Sequence, residues 1–234
     1  MSNIKSIEDI TSYIKNNYLT IEQLANRANI SLDQLESLIN HFCIPRHSHV
    51  ISKQVTFSTD IFGESVLIEE MTYYYHPSLI KLAMKAVRYL ETANFNDVAS
   101  QMKSDFTNEL RQALAEIEIN DVKQVFAYCF DANENLLTDG IDKIMTNHWP
   151  YIMDGTYGVC LKEISAKNVL LKNIAVSILE EWTNCTNQNK NNLYDRAKYA
   201  GELYDSVASH FGPHEILKST RGRLFNKFTA SLNQ

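Results

Sequence analysis

The stretch NDVASQMKSDFTNELRQALAEIE, residues 96–118, decides the fold class. Val98, Met102, Phe106, Leu110, Leu114 and Ile117 recur three or four positions apart, which lines one side of a helix with a continuous apolar stripe. Such a stripe needs other helices to cover it, and the flanking sequence supplies them. Upstream, helical spacing runs from about Glu64, halts at His76-Pro77, where proline suits the first turn of a new helix, and continues to residue 93. Downstream, residues 122–130, 166–182 and 193–211 repeat apolar side chains three and four apart, and a polar stretch at 184–192 reads as a linker. The expected class is mainly all-α, a helical bundle.

Helix-start signals crowd the N-terminal end. Ser6 with Asp9, Thr20 with Gln23 and Ser31 with Gln34 each set a hydroxyl three residues ahead of an acid or amide, the pattern that satisfies free amides in a first turn. They predict three short helices. The second and third, over residues 21–28 and 32–42, join tightly at Asn29-Ile30 with Leu24, Ala28, Leu35, Leu38 and Phe42 inward, a helix-turn-helix outline. Val50, Ile51, Val55 and Phe57 then predict an extended arm or one short β-hairpin within residues 45–57. The domains expected are a helix-turn-helix subdomain with its arm over residues 1–60 and a helical domain over residues 61–234.

Composition removes several classes of function. At 44% hydrophobic and 21% charged, the 234-residue chain is neither disordered nor fibrous. A net charge of −6 gives no global attraction to nucleic acid or to an anionic membrane. The four cysteines, Cys43, Cys129, Cys160 and Cys185, contain no C-x-x-C pair, against both a zinc knuckle and a disulfide framework. No run of about eighteen apolar residues occurs, and Met1 to Lys5, followed by Glu8 and Asp9, lacks a signal-peptide core, so a cytoplasmic location is expected.

Among only seven glycines and four prolines, Pro150, Gly155, Gly158, Gly212, Pro213 and Gly222 fall in two C-terminal stretches. Irregular backbone is expected there, where amides and side chains are free to meet a ligand. In residues 148–162, Asp154 is a candidate base or orienting carboxylate, Tyr157 a donor and Cys160 a nucleophile; the alternative is a turn with Tyr157 and Cys160 in the core. In residues 211–227, Lys218, Arg221, Arg223 and Lys227 put four cations within ten residues. Ser219 at a helix start, with Arg221 and Arg223, would form an anion pocket, and His214 beside it would act as acid or base. The alternatives are a solvated basic face, an internal partner for the acidic surplus, or an interface.

Two patterns invite readings that charge and spacing oppose. His47 and His49 share one side of an extended strand, but no carboxylate or further cysteine follows at ligand spacing, so no metal is assigned. The would-be recognition helix opens with Asp33 and Glu36 and no cation, which would repel phosphate, so DNA is disfavoured as a partner. Tyr73-Tyr74-Tyr75 point in different directions on a helix and read as packing.

Three segments together resemble an uncharacterised bacterial domain family associated with natural-product biosynthesis: Leu19 to Leu24 through Pro45 to Val50, Asp154 to Leu161, and Gly212 to Glu215 with Ser219 to Leu224. His47 and His49 depart from that family's usual residues. The resemblance implies a role near small-molecule biosynthesis and supplies no reaction, catalytic residue or cofactor. The leading expectation is a protein that binds an anionic substrate, free or carrier-linked, with Arg221, Arg223 and Ser219 holding the anion, His214 moving a proton, and Asp154 and Tyr157 orienting the substrate. The rival is a non-catalytic protein that docks a carrier protein or biosynthetic enzyme through its basic C-terminal patch; a metabolite-sensing DNA-binding regulator is a third reading. A homodimer would be sought at the N-terminal helices.

Overall fold

A computed structural model describes residues 6–117, 120–185 and 187–231; the readings at residues 1–5 and at Glu118 lie outside them. Each hydroxyl named above starts a helix. Ser6 accepts the Asp9 amide and Asp9 returns the bond at the head of α1 (Ile7–Asn17). Thr20 and Gln23 do the same for α2 (Ile21–Ala28), and Ser31 accepts the Gln34 amide at the head of α3 (Leu32–Asn40). A cap of this kind contributes about 1 kcal/mol. Asn29 takes the left-handed conformation, φ 56°, that stops α2 within one residue. Leu24, Ala28, Leu35 and Leu38 are buried as expected, but Phe42 is not: α3 has ended, Phe42 is itself left-handed, and its ring lies exposed with the Arg46 guanidinium over it.

The sheet departs most from expectation. β1 (His49–Thr59) and β2 (Gly63–Tyr74) form one antiparallel hairpin whose register shifts between Lys53 and Gln54, leaving Glu69 as the extra residue. Residues 64–74 are therefore strand where helical spacing was read. Val66, Ile68, Thr72, Tyr73 and Tyr74 favour extended backbone, and pairing with β1 gives their amides partners that a lone helix would have had to find internally.

The rest is helical: α4 (Leu79–Leu90), α5 (Phe95–Glu116), α6 (Asn120–Val125) with a 3-10 turn at Ala127–Cys129, α7 (Thr138–Met153), α8 (Thr156–Cys160), α9 (Ala166–Asn184) and α10 (Asn187–Val207). A π-turn at Arg221–Phe225 leads into α11 (Asn226–Ser231). The described residues are thus mainly helical with one antiparallel hairpin. The α5 stripe is the centre: Val98, Met102, Phe106, Leu110 and Leu114 are buried, and the helix packs on α4, α7 and α9. Two C-terminal expectations change. Pro150 lies inside the last turn of α7, and α10 already begins at Asn187 where a linker was read. An apolar cluster runs from Leu19 to Phe228, so α2 and α3 share the core of the bundle, while Ile14 of α1 packs with Tyr18 and Tyr74 in a second, smaller cluster. Among the described residues no helix is long and apolar enough to cross a membrane.

Candidate functional site

The two glycines of the Asp154-to-Cys160 stretch are there because neighbouring atoms, backbone at Gly155 and side chains at Gly158, occupy the space a Cβ would need. Gly155 has φ 88°, and a Cβ on it would lie 2.2 Å from the His47 carbonyl oxygen. A Cβ on Gly158 would lie 2.1 Å from Ser48 Oγ and 3.0 Å from His76 Cβ. The Arg46-to-His49 arm thus lies directly on the turn between α7 and α8. The Arg46 amide donates to the Met153 carbonyl at 2.9 Å, and the Ser48 hydroxyl donates to the Gly155 carbonyl at 3.1 Å. Tyr18, just past α1, donates its hydroxyl to the Gly158 carbonyl at 3.2 Å.

After α8, Leu161 pairs with Ala208, so the chain leaving α8 and the chain leaving α10 run side by side. Arg221 holds that junction. Its guanidinium is buried; Nε donates to the Ser209 carbonyl at 3.0 Å, a terminal nitrogen to the Ala208 carbonyl at 3.3 Å, and the other pairs with Asp205 at 2.9 Å. Tyr204 and Phe225 lie against its faces, 5.5 and 4.8 Å from their ring centroids. Burial alone would raise the Asp205 pKa, but the hydrogen bond and charge of Arg221, with Lys162 and His210 nearby, hold it below the ordinary aspartate value.

Where the α1 end, the start of α4 and this junction meet there is a cleft of about 190 Å³ lined by Tyr13, Asn17, Tyr18, His76, Pro77, Lys162, Ser209 and His210. Among the described residues no carboxylate is in that lining, in a chain with 28 acids against 22 lysines and arginines. Lys162 also lines a wider groove of about 470 Å³, floored by Gly201, Phe225 and Phe228 and edged by Lys198, Glu202 and Asp205. His76 is buried: its Nδ1 accepts the Ser78 amide at 3.1 Å, and desolvation lowers its pKa to about 4, partly opposed by a hydrogen bond with the Leu161 backbone, so the ring is neutral near pH 7.

Behind Tyr18 runs a line of titratable groups. The His49 ring meets Tyr18 edge-on at 4.4 Å between centroids, and His49 Nδ1 is 3.7 Å from Glu215 Oε1. The same oxygen is 3.8 Å from Nε2 of the partly exposed His214, while the other Glu215 oxygen accepts the Gly212 amide at 2.9 Å. His49 is buried and its Nε2 has no hydrogen-bond partner. Desolvation lowers the His49 pKa against the pull of Glu215, and desolvation pushes the Tyr18 hydroxyl far up, so both are neutral near pH 7.

The candidates named from sequence are placed as follows. Asp154 is exposed and accepts the Thr156 amide at 2.9 Å. Tyr157 is buried, its hydroxyl 2.6 Å from His148 Nδ1 and its pKa pushed up to about 12 by burial, with a hydrogen bond to Asn173 opposing. Ser219 donates to the Ile216 carbonyl at 2.7 Å, and Arg223 is exposed. His214 lies at Glu215, and Arg221 holds the α10 exit. Among the described residues no side-chain hydrogen bond or ion pair joins any two of Asp154, Tyr157, His214, Ser219, Arg221 and Arg223; the Arg223 amide donates to the Ser219 carbonyl at 3.0 Å as part of the local turn. What the structure adds is Tyr13, Tyr18, His49, His76, Lys162, His210 and Glu215. Among the described residues no group of three or more His, Cys, Asp or Glu side chains is arranged to hold a metal ion.

No curated protein and no solved structure matches the chain. A family model does, over residues 92–233, which takes in α5 through α11 and so contributes Lys162, Ser209 and His210 to the cleft. By that match the chain belongs to the Family of unknown function (DUF6058).

Proposed function

We propose that this protein binds a small organic acid, its anionic end in the cleft at Lys162 and His210 and its apolar remainder in the adjoining Phe225–Phe228 groove. One observation carries the reading: a cleft lined, among the described residues, by hydrogen-bonding side chains, one lysine, aromatic and imidazole rings and a proline, without a carboxylate, on an acidic chain. At 190 Å³ it has room for about six waters' worth of volume, enough for a carboxylate or phosphate group and a few further atoms. Tyr13, Asn17 and Ser209 would give directional hydrogen bonds and Lys162 the charge; neutral His76 would add a polar ring rather than a charge. Arg221, in this reading, is a positioning residue that holds Ser209 and His210 at the mouth. In this reading such an acid, free or carrier-linked, would belong to small-molecule biosynthesis, in line with the resemblance to a natural-product-associated family.

Calorimetric titration with acetate, octanoate and inorganic phosphate tests this. Octanoate should bind more tightly than acetate, and Lys162→Ala should weaken each by about tenfold or more, the loss of one charge-assisted contact. Wild-type protein that takes up none of the three, or a Lys162→Ala variant that binds equally well, would sink the proposal. Since Lys162 is exposed and its ammonium donates only to the Asp205 backbone carbonyl, the variant should lower the melting temperature little.

A further inference from the structure

We propose that the β1–β2 hairpin is an arm that closes on a second copy of this chain, each tip seated on the other copy's surface around Leu217, Lys218 and Arg223. The strands are 11 and 12 residues long, so the hairpin reaches about 36 Å at 3.3 Å per residue. Only its base is anchored: His49 and Tyr74 are buried, whereas every residue from 52 to 71 is exposed. The register puts Val50, Tyr73, Met71, Ile68 and Val66 on one side and Val55, Leu67 and Phe57 on the other, so the outer half is apolar on both sides. At the tip Ile61 is 83% and Phe62 86% exposed. A two-stranded hairpin with nothing against either side is marginal in water, so this one calls for a cover.

Charge and position identify the cover. Asp60, Glu64, Glu69 and Glu70 against Lys53 make the hairpin acidic. The same chain carries a complementary surface: Leu217 is 79% exposed, Lys218 and Arg223 are exposed, and Gly222, next to Arg223 in the chain, abuts the Leu217 backbone. That surface follows directly on Glu215, which faces His49 at the hairpin base, 3.7 Å away. A hairpin's own tip, a full strand length distant, cannot fold back onto it. Two copies related by a two-fold axis with their hairpins antiparallel solve this, because each tip then arrives at the other copy's base, and the contact is made twice. One side of each arm with its tip offers roughly 700 Å² of apolar residue surface, so two arms with the surfaces they cover reach the size of a stable interface, about 1,600 Å² in total.

The test is sedimentation velocity on the full chain over a range of concentrations, with far-UV circular dichroism to confirm folding. Wild type should be a dimer. Ile61→Asp with Phe62→Asp should weaken dimerisation by at least tenfold at unchanged helicity, since both side chains are at the exposed tip. Asp60→Lys with Glu64→Lys should weaken it, Lys218→Glu with Arg223→Glu should also weaken it, and an equimolar mixture of these two variants should form more mixed dimer than either forms with itself. A wild type that stays monomeric to 100 μM or so, a dimer indifferent to the tip substitutions, or charge variants with no preference for each other would each overturn the proposal.

Discussion

Arg221→Ala separates a structural guanidinium from a ligand-holding one. The substitution removes the donors to the Ser209 and Ala208 carbonyls, both on buried residues, and each orphaned acceptor costs about 1–2 kcal/mol. The stack with Tyr204 and Phe225 contributes about 1 kcal/mol more. The Asp205 pair adds little, because that carboxylate is half exposed. Together the loss is about 3–5 kcal/mol, which for a chain of this size lowers the melting temperature by roughly 10 °C. Arg221→Lys should recover only part of it, since a single ammonium cannot fork to two carbonyls and a carboxylate. Differential scanning calorimetry reads the shift. An Arg221→Ala protein that melts with wild type but no longer binds acetate would refute this reasoning and return Arg221 to the role of anion clamp.

The glycines of the α7–α8 turn offer a second check: Gly155→Ala should destabilise by about 3 kcal/mol or more, because its Cβ meets fixed backbone at a positive φ. Gly158→Ala meets chiefly the Ser48 hydroxyl, so pairing it with Ser48→Gly should restore part of the loss; a strictly additive double variant in thermal melts would contradict that packing. His76 makes stability depend on pH. Its pKa falls from the ordinary 6.5 to about 4 on folding, so its contribution is complete above 6.5 and is lost as pH drops toward 4. Urea unfolding should therefore show about 2 kcal/mol less stability at pH 5 than at pH 7.5, and a flatter profile for His76→Gln; identical profiles would mean the ring is not desolvated.

How much of this could be read from the sequence depended on how local the cause was. The caps at Ser6, Thr20 and Ser31 and the α5 stripe are settled by residues within one or two turns, and they were legible. Strand β2 was not, because it is exposed on both sides: Val66-Leu67-Ile68 shows no in-out alternation, and Glu69-Glu70-Met71 is as good in a helix. Helix α7 was hidden by Gly140 and Pro150, yet Gly140 is needed where the helix touches the Cys129 backbone, 2.5 Å from a would-be Cβ. The cleft was least legible. Tyr18 meets Gly158 across 140 residues, and His49 finds Glu215 from the other end of the chain. His47-Ser48-His49 was noticed, as a metal pattern, but its partners belong to the fold and not to any spacing. The C-terminal cations stand out in the sequence; that Arg221 is buried and Arg223 exposed belongs to the π-turn, which no local signal announces.

The most direct measurement of the anion cleft is a native mass spectrum of the full chain titrated with octanoate, run beside Lys162→Ala. One octanoate bound per chain in wild type and none in the variant is the expected result. Equal uptake by both, or none by wild type at millimolar ligand, would mean that the cleft at Lys162 does not receive an acid.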